Sequence, residues 1–382
     1  MRQSSIYKTI LTVVFCICIG LIGGMMIMYF IAGKPTSPSA QGNEVFVQDN
    51  SSIEEVARAY QDCTVAIRVV NKTSQEQNSL GSGVCVKSGG YIVTNYHVIS
   101  SCLNSTNYEI QVVLNDESKS AYYGQILWAS NHLDLAIVKC EYENITYAKM
   151  KDRTFFCEDN QKLQIGDEVV AIGTPIELSL QNTTTFGRVN GLNRVGATTS
   201  GSMFSSYTRV YEYMIQHQAT INSGNSGGPL IDKDGYVVGI NSCSMVEDKN
   251  NDYVAGVNFA VPILPIMLII DDVVASYESG VEYIEPLFEL SIIDSVYKSY
   301  TSDMFSEEGV YVKKVNTFLI PLLQGDIIKS VKYNNSTYSI NCVYDFVYHC
   351  LNAGNGAQME VTVLRGALEM TVQSTLPQGA VV

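Results

Sequence analysis

Basic residues are scarce in this chain: 24 lysines and arginines stand against 38 aspartates and glutamates, giving a net charge of −14 and a pI near 4.7. A nucleic acid needs a basic footprint to neutralise its phosphates, so this balance argues against such a partner. Histidine is rarer still, with four copies. No C-x-x-C pair and no His/Cys cluster supplies the ligand spacing of a zinc site. No internal repeat is evident. Charged residues make up 16% and hydrophobic residues 46%, which suits a globular protein able to build a sizeable core. A length of 382 residues suggests two to three domains.

Charge is absent altogether from Thr9 to Gly33, a run longer than the ~20 apolar residues that cross a bilayer. Ser37-Pro-Ser-Ala40 makes a poor cleavage site, so an uncleaved anchor over 9–33 is expected rather than a signal peptide. Arg2, Lys8 and the amino terminus outweigh Lys34, which keeps residues 1–8 in the cytoplasm and sends everything after the anchor outside. Residues 34–50 read as a linker, with the polar spacer Pro35–Asn43 unable to bury itself.

Ser51-Ser-Ile-Glu-Glu-Val-Ala-Arg-Ala-Tyr60 has capping-box spacing and predicts a short helix. From Thr64 to about Val261, short β-branched runs separated by Gly, Asn and Asp predict an all-β region, with 193–206 as a mobile loop. Pro262–Ser276 is too short in its uncharged part for a second membrane span and reads as a helix between two domains. Beyond Gly280 the pattern changes. Strands are expected over 309–315 and 325–333, a helix over 341–353, and a closing hairpin from 359–364 and 368–372, together a small α+β domain over 282–376. Among the ten cysteines, Cys85 and Cys102 flank one short region closely enough for a disulfide to be considered. Cys342 and Cys350, eight residues apart on one helix, would lie about 12 Å apart, outside disulfide reach.

Chemistry concentrates in Ile221-Asn-Ser-Gly-Asn-Ser-Gly-Gly-Pro-Leu230. This reads as a serine nucleophile, Ser226, inside its own oxyanion hole. Gly224 can take backbone angles closed to residues with a Cβ and so turn its N–H toward that of Ser226. A hairpin closed at Asp234-Gly235 follows. Tyr91-Ile-Val-Thr-Asn-Tyr-His97 is a β-rich run ending in a histidine after a Gly89-Gly90 turn, and His132, His217 and His349 lack such a setting. Asp134 opens the apolar run Leu135-Ala-Ile-Val138, and an aspartate there needs a partner such as a catalytic imidazole. Asp116, in Leu114-Asn-Asp-Glu117, reads as an exposed turn.

The order His97, Asp134, Ser226 is that of chymotrypsin-type enzymes. Gly224-Asn-Ser-Gly-Gly228 also satisfies the G-x-S-x-G pattern of α/β-hydrolases, but Pro229 and a hairpin follow the serine where that fold needs a helix and a later histidine.

With these residues the chain resembles the HtrA (Deg) serine proteases. Thr94-Asn-Tyr-His97-Val resembles the family's T-N-x-H-V motif, and Asp134-Leu-Ala-Ile-Val-Lys139 its D-L-A-V-[IL]-K motif. Gln216–Leu230 is similar to its Q-T-D-A-A-I-N-x-G-N-S-G-G-P-L block, with Gln218 in place of the usual Asp. Gly81-Ser-Gly-Val, Ala171-Ile-Gly-Thr-Pro175, Phe186-Gly-Arg-Val189 and Asn258-Phe-Ala-Val-Pro262 also fit.

The resemblance implies a mostly β protein: a chymotrypsin-like double β-barrel over 51–280, then a PDZ-like domain over 282–376 with Gly325-Asp326 as its G-D-x-I motif. It implies His97, Asp134 and Ser226 as the triad and the Gly224 and Ser226 N–H groups as the oxyanion hole. Ile221, Val257 and Asn258 are expected at the substrate pocket. No metal or organic cofactor is required. It further implies unfolded or misfolded exported proteins as substrates, a homotrimer, and a single-pass position in a bacterial cytoplasmic membrane. The alternative from another class is a chaperone-like or sensory peptide-binding protein whose triad is mostly inactive.

Overall fold

The computed structural model describes residues 42–376 except 49, 132, 155–158, 203–204, 245–255, 282, 284–289, 295–309, 316–321, 342 and 355. The anchor expected over 9–33 and the linker's first part lie outside the described residues, as do His132 and Cys342. Among the described residues no helix is long and apolar enough to cross a membrane.

The expected first helix, α1 (Ile53–Ala59), is capped by the second serine of the pair. Ser52 Oγ accepts from the Glu55 N–H at 3.3 Å, and the Glu55 carboxylate accepts from the Ser52 N–H at 2.8 Å. Six strands then close a first barrel: β1 (Thr64–Asn71), β2 (Gln77–Lys87), β3 (Tyr91–Thr94), β4 (Tyr108–Val113), β5 (Ala121–Ser130) and β6 (Leu135–Cys140). Their order is β1-β2-β3-β6-β5-β4, and helix α2 (Tyr96–Asn104) sits between β3 and β4. Gly89 and Gly90, at φ +94° and +78°, make the tight β2–β3 turn that the sequence marked.

A second closed barrel repeats the plan in the order β10-β11-β12-β9-β8-β7. Its strands are β7 (Glu168–Gly173), β8 (Thr183–Ser202), β9 (Ser205–His217), β10 (Pro229–Asp232), β11 (Val237–Ser244) and β12 (Asn258–Pro262). Closure removes the free edges that an open sheet would present. Helix α3 (Leu264–Glu278) follows and buries Ile266, Ile269, Ile270, Val273 and Val274. Its other contacts tie it to the first barrel: Lys87 Nζ lies 2.6 Å from the Asp271 carboxylate, and the Tyr91 hydroxyl 3.2 Å from that of Glu278.

The last sheet has the order β13-β14-β15-β17-β18, with β16 (Ser336–Ser339) paired to β15. It comprises β13 (Leu290–Asp294), β14 (Val310–Val315), β15 (Ile327–Tyr333), β17 (Gln358–Arg365) and β18 (Leu368–Thr375), with helix α4 (Val343–Ala353) before the closing hairpin. Helix α4 packs on α3, and Phe346, Val347 and Leu351 share one apolar core with the buried face of α3. The expected helix between domains therefore has its reason in the sequence: it is apolar on more than one side because it is covered on more than one side.

Two sequence expectations need correction, and the one cysteine pairing considered does not form. The expected loop over 193–206 is, in its described residues, not open: β8 and β9 run on as a two-stranded ribbon, paired from Val189↔His217 to Ser202↔Ser205. Thr, Tyr and Val favour strand, so the polarity of the segment did not exclude one. His97 does not end a strand, because β3 stops at Thr94 and His97 lies in the first turn of α2. Cys85 and Cys102 form no disulfide. Cys85 is buried in the barrel while Cys102 lies on α2, and burial raises their thiols to about 12 and about 11, so both stay protonated.

His217, at the end of β9, is fully buried, and burial lowers its imidazole to about 3 despite a backbone contact at Ala219. In the unfolded chain the same ring titrates near 6.5. Between those values the unfolded state binds the extra proton, so stability must fall as pH drops, by about 1.4 kcal/mol per unit from this group. We expect His217→Gln to flatten the pH dependence of the urea midpoint between pH 6 and 4.5 relative to wild type. Parallel profiles would contradict this.

Candidate active site

The loop between β9 and β10 is held by its own backbone. The Asn225 N–H donates to Asn222 O at 2.9 Å and the Gly228 N–H to Asn225 O at 3.0 Å. From outside, the Ser82 N–H donates to Ser226 O at 2.7 Å, and the Gly227 N–H donates to Asn241 O at 2.8 Å. Two glycines are obligatory. Gly224 has φ +99°, and a Cβ there would lie 2.2 Å from Thr174 O. Gly227 has φ +90°, and its Cβ would lie 2.0 Å from Ser82 O. Such approaches are open only to a residue without a side chain. Among the described residues neither the Gly224 nor the Ser226 N–H donates to another backbone carbonyl. These are the two groups expected to form an oxyanion hole.

His97 and Asp134 come together from different elements. Asp134 ends the turn before β6 with φ +54°, a left-handed conformation that Asp tolerates better than most residues, and it is fully buried. Its carbonyl accepts from Asn95 Nδ2 at 2.8 Å. Its carboxylate accepts from the His97 N–H at 3.1 Å and lies 2.9 Å from His97 Nδ1 through both oxygens. A carboxylate so placed keeps the proton on Nδ1 and leaves Nε2 as a basic lone pair.

Ser226 is joined to this pair through a residue the sequence reading missed. The Ser226 hydroxyl donates to the Ser242 carbonyl at 2.8 Å, and the Ser242 hydroxyl donates to Asp134 Oδ2 at 2.6 Å. Ser242 lies on β11, where nothing in Asn241-Ser-Cys-Ser marks it as different from any strand serine. Asp134 belongs to the first barrel and Ser242 to the second, so the hydrogen bond between them spans the two.

The three expected pocket residues occupy the second barrel. Ile221 is buried in its core, and its N–H donates to Asn258 Oδ1 at 3.3 Å. Asn258, also buried, donates through Nδ2 to His217 O at 3.3 Å, and the half-buried Val257 precedes it. Gln218, the departure from the family motif, is exposed, and its backbone N–H donates to Arg188 O at 3.0 Å. Among the described residues no cluster of His, Cys, Asp and Glu could hold a metal ion.

This arrangement joins a basic imidazole oriented by a buried carboxylate, a serine hydroxyl and two free N–H donors, the parts needed for acyl transfer. The Trypsin-like peptidase domain family matches residues 81–240, a span that contains His97, Asp134 and Ser226. Serine protease Do-like HtrA of Bacillus subtilis is 29% identical over 322 residues, covering 81% of this chain and 66% of the relative. A Probable periplasmic serine endoprotease DegP-like of Halomonas elongata is 34% identical over 190 residues, covering 50% of this chain and 34% of the relative. The chain thus spans less than two thirds of the length of either relative. The crystal structure of the serine endoprotease from Yersinia pestis shares the fold, with a TM-score of 0.53 at 24% identity over 86% of this chain and 99% of that one. With two six-stranded barrels meeting at these residues, the chain has a chymotrypsin-like double-barrel fold, carries a trypsin-like peptidase domain over 81–240 and is similar to HtrA serine proteases.

Proposed function

We propose that the protein is a membrane-anchored serine endopeptidase that cleaves unfolded or misfolded proteins outside the cytoplasm. The observation that carries the catalytic assignment is the pair of 2.9 Å contacts between His97 Nδ1 and the buried Asp134 carboxylate, with Ser242 joining that carboxylate to Ser226. For reaction the Ser226 side chain has to turn from the Ser242 carbonyl so that its proton reaches His97 Nε2. Oγ then attacks the scissile carbonyl carbon, the C=O π pair moves onto oxygen, and the proton passes to the imidazole. The Gly224 and Ser226 N–H groups stabilise that oxyanion, each by about 3–4 kcal/mol. The imidazolium returns its proton to the departing amine, and water repeats the sequence on the acyl-enzyme. Asp134 stabilises the imidazolium throughout.

The domain assignment rests on the same resemblance. Residues 51–280 form the protease domain and 282–376 a PDZ-like domain, supported by the sheet of β13–β18 with α4 beside it. Residues 1–8 are cytoplasmic, 9–33 form the anchor and 34–50 the linker, supported by the uncharged run Thr9–Gly33 and by the periplasmic designation of the Halomonas relative. The assembly is a homotrimer, by family likeness alone.

A second reading has one observation in its favour. The Ser226 hydroxyl donates to the Ser242 carbonyl, an arrangement that suits a resting protein acting as a chaperone-like or sensory peptide binder. A fluorophosphonate probe separates the two: labelling of the purified ectodomain confined to Ser226 supports the protease, and no labelling supports the binder.

Three outcomes are expected. Ser226→Ala abolishes casein cleavage with the fold intact, and His97→Ala lowers kcat on the order of 10⁴–10⁶. Substantial activity in Ser226→Ala would overturn the assignment. Peptide-library profiling gives small or medium aliphatic residues before the scissile bond, since Ile221, Val257 and Asn258 supply no acid to select Lys or Arg. A strong basic preference would refute that pocket. Protease added outside intact cells digests residues 35–382, whereas protection until lysis would reverse the topology.

A further inference from the structure

Ser82 lies on β2, fully buried, and every polar atom it has is engaged around the nucleophile loop. Its N–H donates to Ser226 O at 2.7 Å, and its carbonyl accepts from Thr94 Oγ1 at 2.7 Å. Its hydroxyl donates to Gly224 O at 2.7 Å and accepts from the Thr174 N–H at 2.8 Å. The hydroxyl has one proton. An amide N–H can only donate and a carbonyl can only accept, so the direction of both bonds is fixed.

The two peptides that flank Gly224 are each held from outside. The Ser223 carbonyl, in the peptide that carries the Gly224 N–H, accepts from the Ile176 N–H at 2.8 Å. The Gly224 carbonyl, in the next peptide, is held by Ser82 Oγ. Gly224 has no side chain to restrict it and sits at φ +99°, so these peptides could otherwise turn at little cost. A rotation there would swing the Gly224 N–H away from that of Ser226. An oxyanion hole works because its donors are aimed before charge develops, so a clamp on this glycine acts on the transition state more than on bound substrate.

We propose that Ser82 is a positioning residue for the oxyanion hole, its hydroxyl fixing the Gly224 carbonyl so that the Gly224 and Ser226 N–H groups converge. This rests on the protease reading above. Ser82 touches no substrate in this scheme and takes no part in proton transfer. Removing its oxygen also leaves the buried Gly224 carbonyl and Thr174 N–H without their partner, which loosens both sides of the loop at once.

The test is Ser82→Ala, read in two affinities as well as in turnover. A peptide boronate forms a tetrahedral adduct on Ser226 that places a charged oxygen in the hole, whereas the matching substrate peptide bound to a Ser226→Ala protein does not. We expect kcat to fall about 10- to 100-fold with KM within about twofold. Boronate affinity should fall in parallel, while substrate-peptide affinity in the Ser226→Ala background is unchanged by adding Ser82→Ala. An unchanged kcat, or equal loss of both affinities, overturns the proposal. Should the alanine variant not fold, Ser82→Cys keeps a weaker, longer donor in place, and the same selective loss of boronate affinity is expected. If wild type itself forms no boronate adduct, the protease reading fails and Ser82 is not the reason.

Discussion

The structure depends on a carboxylate that water does not reach. Asp134 is fully buried, and an unpaired charge in that position would cost several kcal/mol. It is satisfied by three donors from two elements: the N–H and ring nitrogen of His97 on α2, and the hydroxyl of Ser242 on β11. One of those elements belongs to the first barrel's chain segment and the other to the second barrel. The charge therefore helps to hold the barrels in register at the point where Ser226 lies. The bonds that join the two barrels at this point also orient the imidazole.

Close approach of backbone is the second constraint, and it explains the glycines. The nucleophile loop passes so near Thr174 O and Ser82 O that Gly224 and Gly227 admit no Cβ. In exchange the loop gains bonds from Ser82, Asn241 and Ile176, and the N–H groups of Gly224 and Ser226 point at no backbone acceptor among the described residues. The loop's internal bonds are thus supplemented by bonds from its surroundings. This is the basis of the role proposed for Ser82, a buried serine on the other barrel.

Much of this was legible in the sequence, and for identifiable reasons. Gly89-Gly90 and Asp234-Gly235 announce turns because their backbone angles exclude most other residues, and the structure puts Gly89, Gly90 and Gly235 at positive φ. The apolar run after Asp134 falls within the expected all-β region, and the structure makes it β6, every residue of which is buried. The order of His97, Asp134 and Ser226 pointed to the double barrel. Ser242 and Ser82 were not legible as participants, because a serine's role lies in which distant carbonyl or carboxylate faces it. The ribbon of β8 and β9 was missed for another reason: a run of Ser, Thr and Gly looks the same in a loop and in a paired strand. Helix α2 escaped notice because His97 stands in its first turn, directly after a strong strand signal.

The account's central claim is that the buried Asp134 charge holds His97 in the form that activates Ser226. The most direct measurement is the rate of fluorophosphonate labelling of Ser226 in Asp134→Asn, which preserves shape and removes the charge. The account predicts a folded protein that labels slower by about four orders of magnitude, because an amide no longer fixes the imidazole tautomer. A folded Asp134→Asn protein that labels Ser226 as fast as wild type would contradict it.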